Sequence, residues 1–496
     1  MRMEKCMKKT KFFAAVCLSS VLSLTSIFIG CGNSGSNKNA PDYSASNKQY
    51  TIWAYSGVCD DWYAVAGDTT YFEDGTRQTL EHTRWYAEAG FNILFVDWCF
   101  PLDGTASFAK SKTKEVMDMA YECGLKCIVF ESNLHSISGT KKSVIDPEKA
   151  DGRRIFSSQE QLNEYVANCL KEVKEHPAFY GVSLQDEPTY HQFAAWGEVA
   201  QAVKNACPDA WINVNLNPLD DRIKERYCVG GKEMGAVSAY KNYLTGYYES
   251  VGQYVGTIQY DDYPIEKNNA VLNTTIDNAQ IVAEYAKEKS LTFGKVYQTF
   301  EDTLRRPCTE TDMYWQLNIG MAMGIKDHSY YYYYPVPNAS VLPNEDATIV
   351  NRNGDRNPLY YSLQKIHQEM QFNAKALMNF EYQGLTYYTK TPVPGYMGHL
   401  AGVDRNELLK IDDVVLDKEG IVLITELYDK DNEQYGYYFV NITDPTKSVD
   451  IKVSVDFNSG SHVQVYNGKE IKNAKMKNGN YTFTLSTGRG AFVMPY

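Results

Sequence analysis

The chain is poor in positive charge. Its 49 Lys and Arg stand against 61 Asp and Glu, a formal net charge of −12 over 496 residues. Past residue 30 the deficit deepens to 44 basic against 60 acidic residues, or −16. That balance argues against binding nucleic acid or anionic lipid headgroups through a basic face. Past the N-terminal region no run is long and apolar enough to cross a bilayer. There is no HExxH, no paired His, no Gly-rich phosphate turn and no GxSxG elbow, so no metal or organic cofactor and no ester chemistry is expected. Of the 11 cysteines, eight follow Cys31, scattered too widely for a small disulfide scaffold. Cys123 ends a helical pattern before Gly124, and Cys127 lies in the strand-like LKCIVF. Both read as buried small residues rather than metal ligands. Cys59 and Cys99 each follow a predicted strand and form a candidate disulfide.

What is present begins with an export signal. Arg2, Lys5, Lys8, Lys9 and Lys11 precede an apolar stretch from Phe12 to Gly30. An uncleaved membrane anchor is the rival reading, but the serines and threonines of the stretch and the small Gly30 favour cleavage. Phe28-Ile29-Gly30-Cys31 resembles a bacterial lipobox, which implies lipidation of Cys31 and removal of residues 1–30. Residues 31–48, rich in Ser, Asn and Gly, read as a flexible tether. The expected location is the cell surface, or the outer face of a bacterial membrane.

From residue 49 to 378, short apolar runs alternate with amphipathic stretches. The runs fall at 50–57, 91–98, 125–132, 179–188, 210–218, 255–264, 292–301 and 325–335. Eight strand–helix units predict an α/β (β/α)8 TIM barrel closed by a helix near 359–378. An open doubly wound sheet would normally carry a phosphate turn after its first strand, and AYSGVCDDW is not one. From 379 to 496, polar and apolar residues alternate between Gly, Asn and Asp turns, predicting a C-terminal β-sandwich. That module reads as a structural lid, with sugar binding as the alternative.

Active sites of such barrels lie at the C-terminal ends of the strands. Here those ends carry Asp97, Glu131, Asp186, Glu187, Asp261, Asp262 and Glu301. Clustered carboxyls push one another's pKa apart, so one serves as an acid while another stays ionised. In GVSLQDEP, Val182 and Leu184 suit the helix side, which places Glu187 inward and Asp186 beside the helices or at the rim. Pro188 favours an extended Glu187. In TIQYDDYP, Thr257, Gln259 and Asp261 share the inward face. In KVYQTFED, apolar Val296 and Phe300 suit the helix side, which leaves Glu301 inward. Trp53, Trp62, Trp98, Tyr263 and Tyr334 lie on or after strand ends, where rings stack on sugars.

YGVSLQDEP, IQYDDYP and RRPCTETDMYWQLNIGMAMGIKDHSYYYYYPVP together resemble bacterial glycoside-hydrolase barrels allied to clan A and the family 42 β-galactosidases. The resemblance implies Glu187 as acid/base, with Asp186 where the clan has Asn. It implies a nucleophile ending the seventh strand, either Glu301 or a position aligned with Gln298. Retention is the expected outcome, for which the carboxyl groups stand about 5–5.5 Å apart, against about 6.5–9.5 Å for inversion. Asp261 is the reserve carboxylate. Asp186, Asp97, Trp98, Glu131, Gln298, Tyr263 and Tyr334 are the expected substrate contacts. The predicted partner is a carbohydrate, cleaved by two carboxyls. The alternative is a non-catalytic glycan-binding lipoprotein on an inactive barrel.

Overall fold

The computed structural model describes residues 40–55, 80–96, 108–130, 134, 137, 142–268, 271, 274–333, 347–351, 354–390 and 400–496. Cys31, Cys59, Trp62, Asp97, Trp98, Cys99, Glu131 and Tyr334 lie outside them. Residues 40–496 form one contact unit.

Eight strands alternate with helices. The strands are β1 (Thr51–Ala54), β2 (Ile93–Val96), β3 (Lys126–Phe130), β4 (Phe179–Asp186), β5 (Trp211–Leu216), β6 (Thr257–Asp261), β7 (Thr292–Gln298) and β8 (Asp327–Tyr331). Between and after them come α1 (Leu80–Glu88), α2 (Lys112–Glu122), α3 (Gln159–Leu170), α4 (Phe193–Ala206), α5 (Ala236–Tyr247), α6 (Thr275–Lys289), α7 (Glu310–Ala322) and α8 (Pro358–Leu377). All strand pairings are parallel, in the order β1-β8-β7-β6-β5-β4-β3-β2. Asn92 stitches the remaining seam. Its N–H donates to Ile52 O at 3.0 Å, its Oδ1 accepts from Ile52 N at 2.8 Å and its Nδ2 donates to Tyr50 O at 2.7 Å. The result is the closed barrel, not the open sheet.

Local signals start the helices. Ser111 and Ser158 cap α2 and α3 by accepting the N–H groups of Lys114 and Gln161. Thr309 and Asp312 cap α7 reciprocally. Between α1 and β2 the chain turns at Gly90, whose φ is +90°; a Cβ there would stand 2.7 Å from His367 Cβ.

The barrel floor is packed, not hollow. Trp53, Ile93, Phe95 and Ile128 form one interior cluster, with Tyr180 and Trp211 against it. Trp53 is fully buried there and its Nε1 donates to Asp327 Oδ1 at 2.8 Å. It cannot stack on a sugar at the mouth, contrary to the sequence expectation.

After α8 come β9 (Glu381–Thr389), β10 (Ile411–Leu416), β11 (Ile421–Asp429), β12 (Gln434–Asn441), β13 (Ile451–Phe457), β14 (His462–Tyr466), β15 (Ile471–Lys475), β16 (Asn480–Leu485) and β17 (Gly490–Pro495). They make a six-stranded sheet, β15-β14-β17-β12-β11-β9, and a three-stranded sheet, β10-β13-β16. The two sheets enclose a core of Val422, Ile424, Phe439, Ile451, Val453 and Val493. The other face of the larger sheet, with Leu423, Leu427, Tyr438, Val440 and Phe492, belongs to the barrel's own hydrophobic core.

Candidate active site

At the mouth, the structure departs from strict alternation on β4. A register shift between Ser183 and Gln185 puts Asp186 opposite Asn215 of β5. Asn215 Nδ2 donates to Asp186 Oδ1 at 2.8 Å. Asp186 therefore faces the barrel, not the helices. The expected extended backbone at Glu187 is also overturned: its φ is +43°, a left-handed turn unusual for a residue with a Cβ. The turn is held on each side. Glu187 N–H donates to Asn215 O at 2.8 Å, and Arg226 donates to Glu187 O at 2.7 Å. Beyond it, Pro188 O accepts from Tyr243 OH at 2.5 Å and Asn217 Nδ2 at 3.1 Å.

On β6 the alternation holds. Ile258 and Tyr260 join the outer core, while Gln259 reaches Asp327 and Ser329 inside the barrel. Asp261 follows on the same inward face and is 5% exposed, with no hydrogen-bond partner for its Oδ1 among the described residues. Its register partner on β7 is Val296.

The structure thus gathers Asp186, Glu187 and Asp261. Burial pushes the Asp261 carboxyl well above the ordinary carboxylate range; the charges of Glu187 and then Asp186 add to the effect, and a hydrogen bond from Tyr263 opposes it. Burial and then Asp186 also raise Glu187, while Arg226 and Arg305 pull it down. Arg226 Nη1 stands 3.5 Å from Glu187 Oε2, whose side chain is 35% exposed. Protons come off such a cluster as a set, with charge favoured at Glu187 beside its cations and the proton favoured on deeper Asp261. Tyr263 stacks on Tyr331, ring centroids 5.8 Å apart, and Arg305 lies 5.2 Å over the Tyr263 ring. These residues wall the mouth with aromatic surface.

The seventh strand corrects the sequence reading. Phe293, Lys295 and Tyr297 face the helices, whereas Val296, opposite Asp261 and Ser329, faces inward. Lys295 points outward because its partner is there: Nζ meets Asp262 Oδ2 at 3.2 Å, both side chains nearly fully buried. Asp262 is therefore no rim acid. Glu301, three residues past β7, forms an ion pair with Lys267 at 3.0 Å. Gln298 does face inward at the strand end, but it is fully buried. Its Oε1 accepts from Ile265 N at 2.9 Å and its Nε2 donates to Ile265 O, Phe300 O and Arg306 O. Its amide ties two loops together instead of meeting a substrate.

Sequence reasoning missed Asn215 and Arg226. The alternation Asn213-Val214-Asn215-Leu216-Asn217 was a visible signal, with three polar residues on one face of a buried strand. Arg226, at the end of a short 3-10 helix eleven residues on, carried none.

Solved structures that the chain matches include glycoside hydrolases. A family 5 glycoside hydrolase from Bacteroides vulgatus is 9% identical, with 90% of this chain and 88% of that one covered and a TM-score of 0.49. An Anoxybacillus α-amylase is 12% identical (92% and 99% covered, TM-score 0.46). The family 30 subfamily 8 xylanase Xyn30A from Clostridium acetobutylicum is 14% identical (91% and 98%, TM-score 0.42). No family model and no curated protein matches the sequence. The chemistry of the site rests on its own geometry.

Proposed function

We propose that this protein hydrolyses O-glycosidic bonds of extracellular oligo- or polysaccharides, with Glu187 and Asp261 as its working carboxyls. The observation that carries the reading is the convergence of Asp186, Glu187 and Asp261 at the C-terminal rim, where burial and Asp186 raise Glu187 while burial, Glu187 and Asp186 raise Asp261. Glycoside hydrolysis needs one protonated carboxyl for the leaving oxygen and one anionic carboxyl for water or the anomeric carbon. A coupled pair supplies both forms at once. Asp186 offers a hydrogen-bond acceptor to a sugar hydroxyl. Tyr263 and Tyr331 give the ring a stacking wall.

Glu187→Gln removes one member of the pair without changing its shape. Turnover of a cleaved glycan is expected to fall at least 10²-fold, a typical loss for a proton-transferring group. Full activity in that variant would refute the assignment. The second reading, glycan binding without cleavage, draws support from Gln298 and Glu301, the two seventh-strand candidates, both engaged elsewhere. Carbohydrate affinity with no release of reducing ends would favour it.

The N-terminal signal adds a location: lipid on Cys31 holds the chain at the outer face of a bacterial membrane. Cys31→Ser is expected to move the protein from the membrane fraction of its native host to the soluble fraction. Unchanged fractionation would remove the lipid anchor.

A further inference from the structure

β5 and the residue after it carry three buried amides, and each reaches back at a successive level to β4 or the turn that follows it. Asn213 Nδ2 donates to Ser183 Oγ at 3.3 Å and to Tyr55 OH at 2.8 Å. Asn215 Nδ2 donates to Asp186 Oδ1 at 2.8 Å. Asn217 Nδ2 donates to Pro188 O at 3.1 Å and Tyr243 OH at 3.0 Å. The three are at most 2% exposed. This ladder spans the irregular stretch of β4, where the register shift and the left-handed Glu187 lie. Regular pairing alone does not fix the direction of side chains across such a shift. The middle rung differs from the others because it holds both acids: its backbone carbonyl accepts from Glu187 N–H at 2.8 Å and its side-chain amide donates to Asp186 Oδ1 at 2.8 Å.

We propose that Asn215 is the positioning residue of the carboxyl cluster, its carbonyl fixing where the chain turns at Glu187 and its side-chain amide fixing where Asp186 points. The proposal rests on the cluster being the working site. Asn215 touches no reacting atom in this role; it acts through Asp186, whose charge bears on both Glu187 and Asp261. The chemistry predicts opposite effects for opposite substitutions. In Asn215→Ala the Asp186 carboxylate loses a donor, so it accepts a proton more readily or turns away. Either way less negative charge faces the pair, and the pair gives up its proton at lower pH. In Asn215→Asp a further acid stands beside Asp186, and the pair holds its proton to higher pH.

The test is a 13C NMR titration of the side-chain carboxyls in substrate-free protein, assigned through Glu187→Gln and Asp261→Asn. Wild type is compared with Asn215→Ala, Asn215→Asp and Asn213→Ala. The expected result is a lower midpoint for the pair in Asn215→Ala, a higher one in Asn215→Asp, and an unmoved one in Asn213→Ala, although that variant too loses a rung and melts earlier. On a cleaved glycan, kcat of Asn215→Ala is expected to drop about 10- to 100-fold, the scale of a small misplacement of reacting groups, and the alkaline limb of its pH profile to shift down. Midpoints that stay put in both Asn215 variants, with melting lowered as in Asn213→Ala, would overturn the proposal and leave Asn215 a packing residue. Because the titration needs no substrate, it decides the role of Asn215 even if no glycan is cleaved.

Discussion

Asp327 shows what burial does to a single carboxyl in this barrel. Its oxygens accept from Trp53 Nε1 and Gln259 Nε2 at 2.8 and 3.1 Å, below the barrel rim. Burial raises its pKa from 3.8 to about 7, only partly offset by the Trp53 bond. The folded chain therefore keeps this proton up to about pH 7, whereas the unfolded chain releases it near 3.8. Between those values the folded state binds more protons, so the Asp327 contribution to stability is complete below about pH 4 and is lost as pH rises towards 7. Asn at this position has no proton to lose. The stability of Asp327→Asn relative to wild type should climb across that window by roughly 1.4 kcal/mol per pH unit at most. Urea denaturation at pH 4, 5.5 and 7.5 measures it. A difference that stays constant with pH would mean that the folded protein holds Asp327 ionised. The catalytic candidates were legible at this scale to the extent that residue type carries the signal. The seven acids marked near strand ends include the three that the structure gathers, and the parity of β6 put Asp261 on the inward face. Asn215 and Arg226 did not stand out, because an amide or a guanidinium takes its meaning from a neighbour that sequence order does not supply.

At the scale of elements, the eight strands and the closing helix were plain, since parallel strands buried on both faces give short apolar runs. The errors came from parity. On β4 the register shift at Ser183/Gln185 resets the alternation just before the acids, and nothing in GVSLQDEP marks it. Pro188 restricts the residue before it towards extended backbone, yet Glu187 takes φ +43° because Asn215 O and Arg226 hold both ends of its turn. On β7 apolar Val296 and Phe300 argued for the helix side, which put Lys295 on the inward face by alternation. In the fold it is buried on the outer side, where Asp262 pairs with it and the rings of Tyr260 and Tyr297 flank it at 5.3 and 5.6 Å. A lysine with a buried partner is indistinguishable in sequence from one facing a polar mouth. Helix α7 misleads in a related way. Its residues from Asp312 to Ala322 are buried all round, so it shows no polar stripe. The reason lies beyond the barrel.

That reason is the C-terminal sheet, which covers the face of α7 turned away from the strands. Trp315 Nε1 donates to Ile442 O at 3.1 Å, and Asn318 accepts from Tyr438 OH at 2.7 Å while donating to Gly488 O at 2.9 Å. A Cβ on Gly488, whose φ is +76°, would stand 2.8 Å from Thr311 O, so the sheet rests directly on the helix backbone. From α8, Glu369 reaches Arg489 at 2.8 Å, and Asn373 receives Gly468 N–H at 2.9 Å. One hydrophobic core runs from Ile52 of the first strand to Phe492 and Met494 of the last. Sequence showed two modules by their change of period, but not that they share a core, because each apolar face looks self-sufficient when read alone. A shared core predicts shared unfolding. Calorimetry on the chain from residue 40 should give one thermal transition, and a chain ending at Asn379 should expose Trp315, Met321 and their neighbours as a contiguous apolar patch and aggregate on expression. A soluble, monomeric barrel ending at Asn379 that melts on its own, together with two transitions in the longer chain, would show that the interface joins two independent domains. The sheet would then cap the barrel without completing it.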